Sequence, residues 1–120
     1  MTSKDLNLAL IKAFPEIQHK YSEETTWQDG DETGSHIVFE DVFVPYIRKQ
    51  ICIQNTSKLE QIFEYIESLL NLNDAYIEEV IAFSVIEPLV YDEAIEDADF
   101  WPYVKPRTLA EVEEIILNKQ

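Results

Sequence analysis

At 120 residues, with 46% apolar side chains and 2 Trp, 6 Tyr and 6 Phe, the chain carries enough apolar material to offset the entropy of ordering itself. That excludes intrinsic disorder and predicts a single helical domain over residues 1–120 that buries roughly two thirds of its unfolded surface. The 24 acids against 9 bases give a formal charge of −15, which argues against nucleic acid or an anionic membrane as a direct partner and favours a cationic one.

The N-terminal stretch "MTSKDLNLALIKAF" is interrupted by Lys4, Asp5 and Lys12, unlike the apolar core of a signal peptide. No run approaches the roughly 18 apolar residues of a membrane span, so a cytoplasmic protein is expected. Ser3 is expected to cap a first helix with Leu6, Leu10, Ala13 and Phe14 along one side, and Pro15 to open a second, "PEIQHKYSEETTW". "QDGDETGS" reads as a loop. Beyond it, Ser35 is expected to cap "HIVFEDVFV", with Ile37, Phe39, Val42, Phe43, Tyr46 and Ile47 covering a broad face and Pro45 kinking or dividing the helix. The lone Cys52, in "YIRKQICIQ", permits no internal disulfide and reads as a small buried hydrophobe.

The segment "TSKLEQIFEYIESLLNLN" gives the strongest periodicity: Leu59, Ile62, Phe63, Ile66, Leu69 and Leu70 recur at helical spacing, with Glu60, Glu64 and Glu67 on the other side. Asp74 then caps "AYIEEVIAFSVIEPLV", whose apolar residues from Val80 to Ile86 surround the axis, as in a central helix. That helix is expected to end near Glu87, because Pro88 restricts the residue before it. In "KPRTLAEVEEIILNK", Thr108 and Glu111 have the spacing of a capping box ahead of Leu109, Val112 and Ile116. With two glycines and no Asn-Gly or Asp-Gly pair between alternating apolar runs, hairpins are not expected. The fold class is therefore all-α, a compact helical bundle or a short stack of helical hairpins with about six helices.

Charge is segregated along the chain. From Leu59 to Val104 there are 12 acids and no Lys or Arg, and from Tyr21 to Ile47 another 7 acids with no base. An ordinary solvated helix mixes signs to gain pairs four residues apart, each worth about 0.2–0.5 kcal/mol; Glu60 with Glu64, and Glu64 with Glu67, repel instead. Solubility accounts for part of such an excess. The aromatics point to docking: Trp101 lies beside Asp92, Glu93, Glu96, Asp97 and Asp99, and Trp27 beside Asp29, Asp31 and Glu32. This is the mixture of rigid anchor and charged rim expected at a partner-binding surface, although each Trp serves equally well as a core residue. The six residues Asp92 to Trp101 form the first candidate patch, and Asp29, Asp31 and Glu32 the second.

Catalytic chemistry finds little support. Neither acidic run has the alternating ligands, central Gly and terminal Glu of an EF-hand, and no GxSxG, phosphate-cradling glycine loop, GxGxxG, HExxH or CxxC occurs. His19 and His36 lie on polar helix-end segments. No catalytic residue, cofactor or metal is expected.

Three pieces together resemble a family of small, acidic, helical bacterial proteins that includes immunity proteins of polymorphic toxin systems, contact-dependent growth inhibition among them. They are "TTWQDGDETGSHIVFEDVFVPYI", the helical pair "LEQIFEYIESLLNLNDAYIEEVIAFSVIEPLV" and the Pro-containing entry "YVKPRTLAEVEEI". Relatives in that family usually enter the last helix through a Gly-Pro-like turn, where this chain has Lys105 and Pro106. The resemblance implies that the protein binds and neutralises one cognate basic toxin domain, commonly a nuclease, as a monomer in a 1:1 complex and without catalysis. The competing expectation is a helical adaptor that recognises a cellular protein.

Overall fold

A computed structural model describes residues 1–119. They form seven helices and, among the described residues, no strand. These are α1 (Ser3–Ala13), α2 (Gln18–Thr26), α3 (35–52), α4 (Thr56–Leu70), α5 (75–90), α6 (Asp97–Phe100) and α7 (Pro106–Lys119), with single 3₁₀ turns at Pro15–Ile17, Gly30–Glu32 and Trp101–Tyr103. The radius of gyration is 13.7 Å, against about 13.6 Å for a compact chain of this length. The chain is thus a compact all-α globule, consistent with a helical bundle.

The first helix is capped one residue earlier than expected. Thr2 Oγ1 accepts the N–H of Asp5 at 3.1 Å, and Ser3 instead places its hydroxyl 2.6 Å from that of Tyr76. Leu6, Leu10 and Phe14 are fully buried. Phe14, at the end of α1, meets Phe43 at 5.5 Å and the edge of Tyr65 at 5.4 Å, with Phe39 against Phe43 at 5.6 Å. This aromatic cluster joins α1, α3 and α4, with one tilted and two edge-on contacts, the latter suiting the ring quadrupoles.

Neither internal proline breaks its helix. In α3, Ser35–Val38 runs through a π turn at Phe39–Phe43 into Val44–Cys52, and in α5, Ala75–Ile81 runs through a π turn at Ala82–Ile86 into Glu87–Val90. The residue before each proline donates five positions back, Val44 to Phe39 and Glu87 to Ala82. A proline inside a regular α-helix lacks a donor and presses on the carbonyl four residues earlier; a wider turn just ahead of it changes that register and lets the helix continue. Of the kink or division expected at Pro45, the division does not occur, and the end expected near Glu87 is corrected to Val90. The two π turns pack against each other at the centre of the bundle.

All six apolar residues expected on the inner face of α4 are buried, and Asp74 caps α5 by accepting the N–H groups of Tyr76 and Ile77. Other local expectations need correction. Gly34 is the cap position of α3; Ser35 is the first helical residue, buried, with its hydroxyl on Asn7. Ile37, in the first turn of α3, and Phe83, within the π turn of α5, are exposed. Cys52 is exposed, since the last turn of α3 turns Gln50 and Ile51 inward. Thr108 lies inside the first turn of α7, which starts at Pro106.

Candidate partner-binding surface

Four of the nine Lys and Arg residues hold a carboxylate among the described residues. Lys20 pairs with Glu24 at 2.9 Å, Arg48 with Asp92 at 2.8 Å, Lys58 with Glu16 at 2.9 Å, and Arg107 with Glu78. Among the described residues these contacts leave many outer carboxylates without a cation, Glu40, Glu60, Glu64, Glu93, Glu96 and Asp97 among them.

The first candidate patch divides into structural and outward-facing acids. Asp92 accepts Arg48 Nε through Oδ2 and the N–H of Ala94 at 2.9 Å through Oδ1, which fixes the turn after α5. Asp99 accepts the N–H of Glu96 at 3.0 Å, starting α6. Glu96 returns the bond, its side chain taking the N–H of Asp99 to complete a capping box; Glu93 and Asp97 are exposed. Trp101 is half-buried and stacks on the buried ring of Phe100 at 5.2 Å, while Tyr103 stacks on Phe63 of α4 at 6.4 Å. The aromatic part of this patch therefore serves mainly to strap α6 to the bundle.

The second patch is organised from within. Asn7, fully buried on α1, donates to the carbonyls of Asp31 at 3.1 Å and Thr33 at 2.7 Å and accepts the Ser35 hydroxyl at 2.8 Å. Tyr21 donates to the Asp31 carboxylate at 2.7 Å; burial, then this bond, raises the phenol's pKa. Asp31 thus helps to hold the loop, whereas Asp29 and Glu32 are exposed on it, Glu32 beside Thr2, Ser3 and Lys4 at the start of α1; Trp27, two residues before Asp29, is 73% exposed. The two tryptophans, equivalent on sequence grounds, are separated by the fold: Trp101 packs and Trp27 stands in solvent. The patches also rest on different supports, the second on α1 and the first on the C-terminal part of α3.

A third surface was not among the sequence-based candidates. A groove of roughly 310 Å³ runs between α5 and α7, lined by Ala75, Glu78, Glu79, Ala82, Phe83, Glu111, Glu114, Ile115 and Asn118. Its signal lies in the spacing of each wall: 75, 78, 79, 82 and 83 share one helical face, as do 111, 114, 115 and 118. What the sequence does not display is that these two faces meet. Phe83 is 58% exposed at the rim. Glu111 has its pKa raised by burial and by the charge of Glu114, with Arg107 partly opposing.

Of the two histidines, His19 lies on the surface of α2 against Glu23, while His36 is tied into the frame. His36 Nδ1 lies 2.9 Å from Ser84 Oγ, and Ser84 is buried in the π turn of α5; the pair joins α3 to α5. Among the described residues, no three His, Cys, Asp or Glu side chains converge in the manner of a metal site, and no helix is long and apolar enough to cross a membrane.

Residues 8–118 match the model of a family described as a domain of unknown function, DUF7674. No curated protein and no solved structure matches the chain.

Proposed function

The chain belongs to the DUF7674 family, and we propose that it acts as an immunity protein: a monomer that binds a cognate basic toxin domain, of the nuclease type, in a 1:1 complex and silences it through an acidic surface. The observation that carries this reading is Trp27, 73% exposed on a loop whose Asp29 and Glu32 face solvent and whose backbone is held by a buried asparagine. Leaving so much indole in water is unfavourable at about 25 cal/mol per Å² of apolar area, a cost that binding would recover. A rigid aromatic anchor within an acidic rim suits a cationic protein surface, to which Trp adds cation–π attraction for Lys or Arg.

The remaining outward carboxylates, Glu93, Glu96 and Asp97 included, extend the field around this anchor. A negative surface accelerates encounter with a basic partner and places carboxylates where a nuclease would otherwise hold substrate phosphates. In this reading the protein works in the bacterial cytoplasm, where a nuclease would reach its substrate, and has no catalytic residue, metal or cofactor of its own.

The test is co-expression with the polypeptide encoded by the neighbouring gene, followed by titration calorimetry at low and high salt and a nuclease assay of the complex. A 1:1 complex that weakens steeply with salt and lacks nuclease activity supports the reading. Trp27→Ala should loosen it at least about tenfold, the ordinary size of a hot-spot loss. Stable complexes with several ordinary cytosolic proteins and none with the neighbour's product would replace it with an adaptor role.

A further inference from the structure

We propose that the α5–α7 groove is a docking site for a basic amphipathic helix of a protein partner, whose apolar side chains would lie against Ala82, Ile115 and Phe83 and whose Arg or Lys side chains would meet Glu79, Glu111 and Glu114. The proposal rests on the reading of the protein as a binder of a basic partner and gives that partner a structural element.

The shape comes first. The floor and rim are apolar at Ala75, Ala82, Phe83 and Ile115, and Phe83, within the π turn of α5, is exposed. From residue 75 to 82 the α5 wall extends about 10 Å, two helical turns, enough for apolar residues at i, i+3 or i+4, and i+7 of a docked helix. Both walls are helices whose backbone groups are already bonded within their own ladders. An extended peptide would find no main-chain partners there, whereas a helix satisfies its own and needs only side-chain contacts.

Charge then selects among helices. Four glutamates line the groove, and one already holds a guanidinium: Arg107, at the start of α7, pairs with Glu78. Arg107 lies outside the groove's lining and its charge also reaches Glu111, so this acidic wall already meets one guanidinium at its edge, and Glu79 and Glu114, with the part-buried Glu111, face the groove for a second. A further copy of this chain, at −15, would meet net repulsion, as would an anionic lipid surface or a nucleic acid.

The probe is a fluorescein-labelled synthetic helix of leucine and arginine, leucines at i, i+4 and i+7, compared with its leucine–glutamate counterpart and with a scramble of identical composition. Anisotropy gives affinity, and amide chemical-shift mapping gives the site. Expected are tighter binding of the patterned basic helix by about tenfold or more over the scramble, shifts centred on Ala82, Phe83 and Ile115, and a comparable loss in Phe83→Ala and in Glu111→Lys/Glu114→Lys. The double variant Glu60→Lys/Glu64→Lys on α4 changes net charge equally and should alter affinity less than about twofold, so the comparison isolates the groove from the global field. Circular dichroism melts confirm that each variant is folded.

Equal binding of scramble and patterned helix, or shifts centred elsewhere, overturns the proposal. If the groove variants lose nothing while the neighbour-encoded toxin still forms its salt-sensitive complex, the groove assignment fails and the immunity reading stands. If the helix docks as expected and no toxin is found, the groove stands on its own as a site for a different basic partner.

Discussion

The carboxylate of Glu67 on α4 caps helix α7. Its Oε1 accepts both the N–H and the hydroxyl of Thr108 at 2.9 Å, and its Oε2 accepts the N–H of Arg107 at 2.9 Å. A helix start presents unpaired N–H groups and partial positive charge, so an anion from a neighbouring helix is well placed there. Glu67→Ala should therefore lower unfolding free energy by roughly 1–3 kcal/mol, the range for removing one partner from semi-buried polar groups. Glu67→Gln, which retains one carbonyl oxygen, should lose less. Urea denaturation measures both, and faster amide exchange at Thr108 and Leu109 would localise the damage; unchanged exchange there would show that the cap does not hold α7.

That cap shows where sequence reading reaches its limit. The inner face of α4 was legible because Leu59, Ile62, Phe63, Ile66, Leu69 and Leu70 answer to one helical period, and the all-α class followed from several such faces. Glu67 looked like one of three mutually repelling surface acids because its partner lies 41 positions away, beyond any local pattern. Asp31, Asp92 and Asp99 were read as docking acids for the same reason: Tyr21, Arg48 and the Glu96 backbone, which hold them, are revealed only by the fold. Pro45 reads locally as a kink or division and Pro88 as a helix end, because the local rule does not include the wider turn just ahead of each ring that lets both helices continue. The groove required two faces, each visible separately, to be known as neighbours.

Tyr65 offers a test of opposite sign. Its hydroxyl is buried with no hydrogen-bond partner among the described residues, and burial pushes its pKa up to about 12. The ring itself is well placed, edge-on to Phe14 at 5.4 Å and Phe43 at 6.4 Å. Tyr65→Phe keeps those contacts and removes an unsatisfied polar atom, so it should raise stability by roughly 1 kcal/mol. A loss of stability in urea denaturation would mean that the hydroxyl is bonded in solution.

Asn7 is the residue on which the Trp27 loop depends. Asn7→Ala leaves the carbonyls of Asp31 and Thr33 and the Ser35 hydroxyl without their shared partner, with an expected loss of about 1–3 kcal/mol. Asn7→Asp preserves shape but sets a carboxylate oxygen against two carbonyl oxygens in a buried site, and should destabilise more than alanine at neutral pH. Both variants should speed amide exchange across residues 27–34 and, with the loop as the proposed docking surface, weaken binding of the proposed toxin partner although Asn7 itself is fully buried. If Asn7→Asp proved milder than Asn7→Ala, the donor role of its amide would be wrong.

Glu111 links stability to the proposed docking groove through pH. Burial, and then the charge of Glu114, raise its pKa above the ordinary glutamate value, so its ionised form is disfavoured in the folded protein relative to the unfolded chain. The sign follows from linkage: the penalty is fully present above the folded-state pKa and fades as pH falls through that value toward the unfolded one near 4.5. Glu111→Gln should therefore melt at a higher temperature than the parent at pH 7, with the difference disappearing toward pH 4. A basic helix seated in the groove would relieve the same penalty, so the parent should gain more thermal stability from the leucine–arginine probe than Glu111→Gln does. Thermal melts at both pH values, with and without the probe, decide the matter: a glutamine variant that is no more stable at neutral pH would mean that Glu111 carries no penalty for a partner to remove.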